Sequence, residues 1–199
     1  MSNISWALDI ETLDTESTAV ILSIGLVPFA TKIPLSMQEL REKSFFVKFD
    51  AVQQQKRYNR TVSKDTLDWW ATQPHEAKVK SLIPSANDLS AEDGLFELQA
   101  FFHSRGGSRN SLIYTRGNFD SIITESLCKA VGVKPLVPYY GFLDIRTFIH
   151  CMYPKSERGY VPIDTKICPD YDETLLVAHE PVDDCVRDIC MMLAGQFDE

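Results

Sequence analysis

The residues with the clearest chemical potential are acids, beginning with Asp9 and Glu11 in "SWALDIET", residues 5–12. Trp6, Leu8 and Ile10 supply one apolar side of an alternating pattern, which predicts a β-strand. Residues two apart on a strand share a face, so the two carboxylates stand side by side. On a buried strand they repel one another and each loses hydration. No Lys or Arg lies near them in sequence to compensate. A bound cation could supply the missing charge; an edge strand with its acidic side in water would also serve.

Two further groups carry similar possibilities. Asp120, in "RGNFDSII", falls in the first turn of a helix that directly follows a strand, a junction where α/β sheets gather ligands. The plainer reading is an acid complementing a helix dipole. In "AHEPVDDCVRD", His179 stands just ahead of a helix whose opening carries Asp183 and Asp184. This histidine is a general base or simply a surface residue, and spacing does not say which aspartate faces a site. Asp184 and Asp188, one helical turn apart, share a face away from the apolar stripe.

The elements that must position these residues are legible in outline. After the first strand, "AVILSIGLVPFA" (19–30) reads as a buried central strand and "SFFVKFD" (44–50) as a third. Their short connections predict an antiparallel meander, with a small helix capped by Ser36 and Glu39 between the last two. "AVQQQKRYNR" reads as a polar loop. Helices are expected in "SKDTLDWWATQ" and "HEAKVKSL" and from Ser90 onward. Strand–helix alternation follows: "SLIYTRG" with "NFDSIITESLCKAVG", then "YYGFLDIRT" with "FIHCMY". An irregular stretch leads to the last helix, "PVDDCVRDICMMLAG". The pattern predicts one α/β layered domain over residues 1–199 with a mixed central sheet flanked by helices.

Composition narrows the function classes. Hydrophobic content of 44% and charged content of 24% are ordinary globular values. A formal charge of −8 argues against gripping nucleic acid by bulk electrostatics, though not against an enzyme whose cations supply positive charge locally. Five cysteines without a C-x-x-C spacing predict free thiols in a reducing compartment. No signal-peptide pattern or membrane-length apolar run is present, so a soluble cytoplasmic protein is expected.

Taken together, D-x-E on the first strand, the aspartate of "NFD", and a histidine followed five residues later by aspartate resemble the DEDDh 3′–5′ exonucleases. The tyrosine class of that family would need Tyr where Glu180 stands. "DTLDWWATQPHEAK" and "AHEPVDDCVRDICMM" are similar to the group containing the exonuclease A of T-even phages and small bacterial exoribonucleases. That resemblance implies a ribonuclease H-like exonuclease fold in a bacterial or phage-infected cell. It selects Asp184 over Asp183, making Asp9, Glu11, Asp120 and Asp184 ligands of two Mg²⁺ or Mn²⁺ ions. In two-metal nucleases such ions lie roughly 3.5–4 Å apart. His179 becomes the general base.

The implied partner is DNA or RNA with a free 3′ end, the product a nucleoside 5′-monophosphate. Relatives form homodimers, but no segment here declares itself an interface. Thr12 and Leu13 match positions that touch the terminal nucleotide in the family, although many relatives carry a second Thr or Ser at position 13. Trp69 and Trp70 point about 100° apart on a helix, so at least one belongs in the core while the other could stack on a base. Lys56, Arg57 and Arg60 are phosphate candidates, and Arg116 is better placed beside Asp120. Asp144 and Arg146 either line the site or pair together; His75, His103 and His150 read as structural. The rival readings are a ribonuclease H-like endonuclease and a non-catalytic nucleic-acid-binding protein on the same fold.

Overall fold

The computed structural model describes residues 4–31 and 34–194. The chain opens with β1 (Ile4–Thr12), β2 (Ile21–Ala30), α1 (Met37–Glu42) and β3 (Phe45–Lys48). Helices α2 (Ala51–Tyr58), α3 (Lys64–Thr72), α4 (His75–Ala77, continuing into a π-helical turn) and α5 (Ala91–Ser104) follow. The second half alternates β4 (Ile113–Thr115), α6 (Phe119–Val131), β5 (Phe142–Asp144) and α7 (Ile145–Met152), and ends on α8 (Pro181–Ala194). Gly195, expected to close the last helix, lies outside the described residues.

The sheet order is β3-β2-β1-β4-β5. β1, β2 and β3 form the expected antiparallel meander, whereas β4 and β5 run parallel to β1. Alternation along β1 divides the core. Trp6, Leu8 and Ile10 pack with Leu95, Leu98 and Phe102 of α5 and Ile123 and Leu127 of α6. Ala7 faces the opposite layer, with Val182, Cys185, Val186 and Ile189 of α8. Asp9 and Glu11 share the parity of Ala7, so they project toward α8. Among the described residues no helix is long and apolar enough to cross a membrane.

The segment read as a polar loop is helix α2, and a local cap and a long-range contact explain the difference. Asp50 caps the helix by accepting the Gln53 N–H at 2.9 Å. Gln54 is fully buried; its amide accepts from the Ile21 N–H at 3.0 Å and donates to the Ile21 carbonyl at 2.7 Å. A polar residue that completes a distant strand's hydrogen bonding leaves no trace in local hydropathy. Two of the basic residues there are also committed elsewhere. Arg60 is buried and donates to the Ala19 carbonyl and the Ser126 hydroxyl, so it is a structural residue and not a phosphate ligand. Arg57 pairs with Glu92.

Helix α1 is capped from a distance as well as by Ser36. Asp170 accepts from the Ser36 hydroxyl at 2.7 Å and from the Met37 and Gln38 amides at 2.8 and 3.2 Å. Partial burial pushes this carboxyl up, but these donors outweigh burial and hold it down at about 2. A depressed folded-state pKa contributes stability that is present above the unfolded value, near 4, and is lost as pH falls toward about 2. Asp170→Asn is therefore expected to be less stable than wild type at neutral pH. Urea midpoints of the two proteins should converge as pH falls through that window.

Candidate active site

The proposed acids converge from both ends of the chain at the C-terminal edge of the parallel strands, as α/β topology favours. β1 supplies Asp9 and Glu11, the first turn of α6 supplies Asp120, and the first turn of α8 supplies Asp184. With His179 they line one cleft of about 500 Å³, whose walls also include Arg116, Arg146, Tyr160, Arg187 and Asp188. Glu11, His179 and Asp184 each offer a ligand atom within 4.8 Å of the others.

Close approach of backbones makes this convergence possible. Gly25 of β2 pairs with Asp9 across the ladder, and the first turn of α8 rests directly on it. A Cβ at Gly25 would lie 2.5 Å from the Pro181 carbonyl carbon and 2.7 Å from the Val182 nitrogen. Only a residue without a side chain lets α8 approach the sheet so closely beside Asp9.

The turn into α8 fixes His179 and separates the two adjacent aspartates. His179 adopts a left-handed φ of 64°, unusual outside glycine. Its amide donates to Asp184 Oδ2 at 3.0 Å, while its ring stands edge-on to Trp69 with centroids 4.7 Å apart. His179 Nδ1 lies 3.7 Å from Glu11 Oε1. Asp183 points away: Arg41 donates to both its oxygens at 2.6 and 2.7 Å, and it also accepts the Val177 amide.

The site's electrostatics are dominated by the burial of its carboxyls, with their mutual repulsion adding to it. Burial pushes Asp9 well up, with Asp120, Asp184, Glu11 and Asp188 adding to the effect. Burial also raises Glu11 to about 7, against the opposing pull of His179, and Asp120 to about 8, with help from Asp188 and Glu11. Asp184 is raised by burial despite its pairing with Arg187. The Glu11 carboxylate facing its ring raises His179 above its usual value, against the opposing effect of burial.

The sequence-level substrate contacts fare unevenly. Trp70 is fully buried, its indole N–H donating to the Thr12 carbonyl at 2.9 Å, so it is a core residue and not a base-stacking one. Leu13 packs against Val20, Leu22 and Trp70, so its side chain is buried and does not line the cleft, and the Thr12 hydroxyl donates to the Asp14 carbonyl. Trp69 is 40% exposed, with its ring beside His179. Arg116 does line the cleft, but it forks onto Asp188, with Nε donating at 2.9 and 3.0 Å, and stacks on Tyr160. Its charge is thus already matched.

Two other wall residues, Arg187 and Tyr160, escaped sequence reasoning, whereas Arg146 was a candidate. Arg187 stands three residues after Asp184, a helix-neighbour spacing that could have flagged it, and bridges Asp184 to Glu173. Arg146 lines the cleft without pairing with Asp144, whose carboxylate instead accepts the Gly117 and Arg146 amides and caps α7. Tyr160 lies in the irregular stretch and carried no local signal.

Comparison with known proteins decides what this arrangement belongs to. The family model of the 3′-5′ exoribonuclease Rv2179c-like domain matches residues 5–186. The chain belongs to that family. Another relative of this Rv2179c-like chain is an exodeoxyribonuclease of Enterobacteria phage T4, 28% identical over 204 residues, covering 93% of this chain and 86% of the phage protein. Among solved structures, the nuclease domain of 3′hExo, a DEDDh family member bound to rAMP, matches with a TM-score of 0.60 at 15% identity, over 97% of this chain and 90% of that one. E. coli exonuclease I in complex with a dT13 oligonucleotide gives a TM-score of 0.58 at 14% identity, over 98% of this chain and 41% of that one. This Rv2179c-like chain is a 3′–5′ exonuclease, and its ribonuclease H-like fold is the one found in the DEDDh nuclease domain.

Proposed function

We propose that the whole chain acts as one exonuclease domain that removes nucleoside 5′-monophosphates from the free 3′ end of DNA or RNA. In this reading Asp9, Glu11, Asp120 and Asp184 hold two Mg²⁺ or Mn²⁺ ions and His179 is the general base. The observation that carries it is the grouping of Glu11, His179 and Asp184 within 4.8 Å in a cleft shared with Asp9 and Asp120. The donor set fits such ions: the cleft holds five carboxylates, and two of its three arginines are spent on Asp188 and Asp184. Oxygen-rich, net-negative surroundings suit hard divalent cations. When bound, these ions supply the positive charge that stabilises the phosphate oxygens as the bond breaks.

The protein's own groups account for the proton. An unneutralised Glu11 favours the imidazolium form of His179, which has no lone pair to accept a proton. With Glu11 committed to a cation, that bias disappears and the ring is free to take a proton from water. Trp69 holds the ring from the side, and the His179 amide ties its backbone to Asp184. Removal of a general base typically costs about 10²–10⁴ in rate. His179→Ala should therefore lose turnover in that range while calorimetric Mn²⁺ affinity stays close to wild type. A parallel fall in affinity would make His179 a ligand instead.

The family is described by RNA and the phage relative by DNA, so the decisive test offers both. Matched RNA and DNA single strands with 3′-hydroxyl ends, incubated with Mn²⁺, should shorten stepwise to mononucleotides. Internal cuts, or no cleavage of either, would overturn the reading.

A further inference from the structure

A second groove of about 720 Å³ adjoins the acidic cleft. Arg146 and Tyr160 line both, and His150, Ser156 and Arg158 continue the second wall. No Asp or Glu is among its lining residues. Arg146 and His150 stand four apart on α7, hence on one helix face, and both are exposed, as is Arg158. Among the described residues neither Arg146 nor Arg158 has a carboxylate partner. The buried Ser156 hydroxyl has no hydrogen-bond partner either.

This pattern differs from the rest of the cleft. Arg116 and Arg187 are neutralised by Asp188 and Asp184, leaving Arg146 as the cleft arginine whose charge is uncommitted. Gly159 holds a left-handed φ of 75° and a Cβ there would come 2.9 Å from Arg146 Cα, so the loop carrying Arg158 and Tyr160 lies directly against α7. In a chain of net charge −8, a polyanion leaving the acidic centre needs a local positive path.

We propose that this groove carries the phosphodiester backbone of the single strand on the 5′ side of the scissile bond. Arg146, His150 and Arg158 face its phosphates, and Tyr160 offers a ring to a base at the junction. The assignment rests on the exonuclease reading of the adjacent cleft. It also revises the expectation that His150 is merely structural.

The test measures binding separately from hydrolysis. Anisotropy of a labelled twelve-nucleotide single strand, with EDTA present to prevent cleavage, is followed across a salt series for wild type, Arg158→Glu and Arg158→Lys. Arg158→Glu should bind severalfold more weakly, and its log–log salt slope should shrink by about 0.7–1, the share of one phosphate contact. Arg158→Lys, which keeps the charge, should retain most of the affinity. Equal affinity and slope for wild type and Arg158→Glu would overturn the proposal. Wild-type activity is assayed in parallel with Mn²⁺. A protein that binds with the expected differences but cleaves nothing would sink the exonuclease reading and leave the groove standing.

Discussion

Asp9→Asn is expected to abolish exonuclease activity and, in the absence of divalent cations, to make the protein more stable. The activity loss should exceed about 10³-fold, the upper range for losing one preorganised electrostatic element. The stability gain follows from burial beside Asp120, Asp184, Glu11 and Asp188, all of which disfavour a charge at position 9. Asparagine keeps the shape and removes that charge. Thermal unfolding in EDTA should show it, at about 2–4 °C for each kcal/mol gained. A variant that loses activity without gaining stability would mean that the carboxylate is compensated within the fold.

The same cluster fixes the direction of pH dependence. Glu11 and Asp120 titrate at about 7 and about 8 in the metal-free fold, against roughly 4 when unfolded. Between these values the folded state binds more protons than the unfolded, so metal-free stability falls as pH rises. Cations that replace those protons should stabilise the protein by an increment that grows from pH 5 to pH 8.

Gly25→Ala carries the second large effect, although its residue holds no chemical group. The added methyl would sit 2.5–2.7 Å from backbone atoms of Pro181 and Val182, which no side-chain rotation can relieve. Overpacking typically costs about 1–3 kcal/mol, occasionally more; contact with three atoms of one rigid peptide unit places this site at the upper end, about 3 kcal/mol. Denaturant midpoints should report that loss. Activity should fall beyond what the unfolded fraction explains, because α8 carries Asp184 and anchors His179. Full activity in the folded fraction would show that α8 can shift without disturbing the centre.

Much of this arrangement could be read from the chain. Strand alternation placed Asp9 and Glu11 on one face, and the local elements around Asp120 and His179 were correctly typed because each follows a strong apolar pattern. What escaped is what depends on distant partners. Gln54 forms part of a helix because Ile21 needs its amide. Leu13 and Trp70 are buried because the end of β1 turns inward against α3. Gly25 looks like any strand glycine until α8 is laid upon it, and Tyr160 reaches the cleft from a stretch without periodicity.

The placement of α8 also bears on how the protein comes into being. The strand acids Asp9 and Glu11 are translated well before His179 and Asp184. A chain that stops short of residue 179 therefore lacks two of the groups proposed to act in the cleft, and the sheet layer bearing Ala7 and Val27 lacks its covering helix. In the proposed mechanism such a fragment has no nuclease activity, since both the general base and one of the ligand carboxylates are missing.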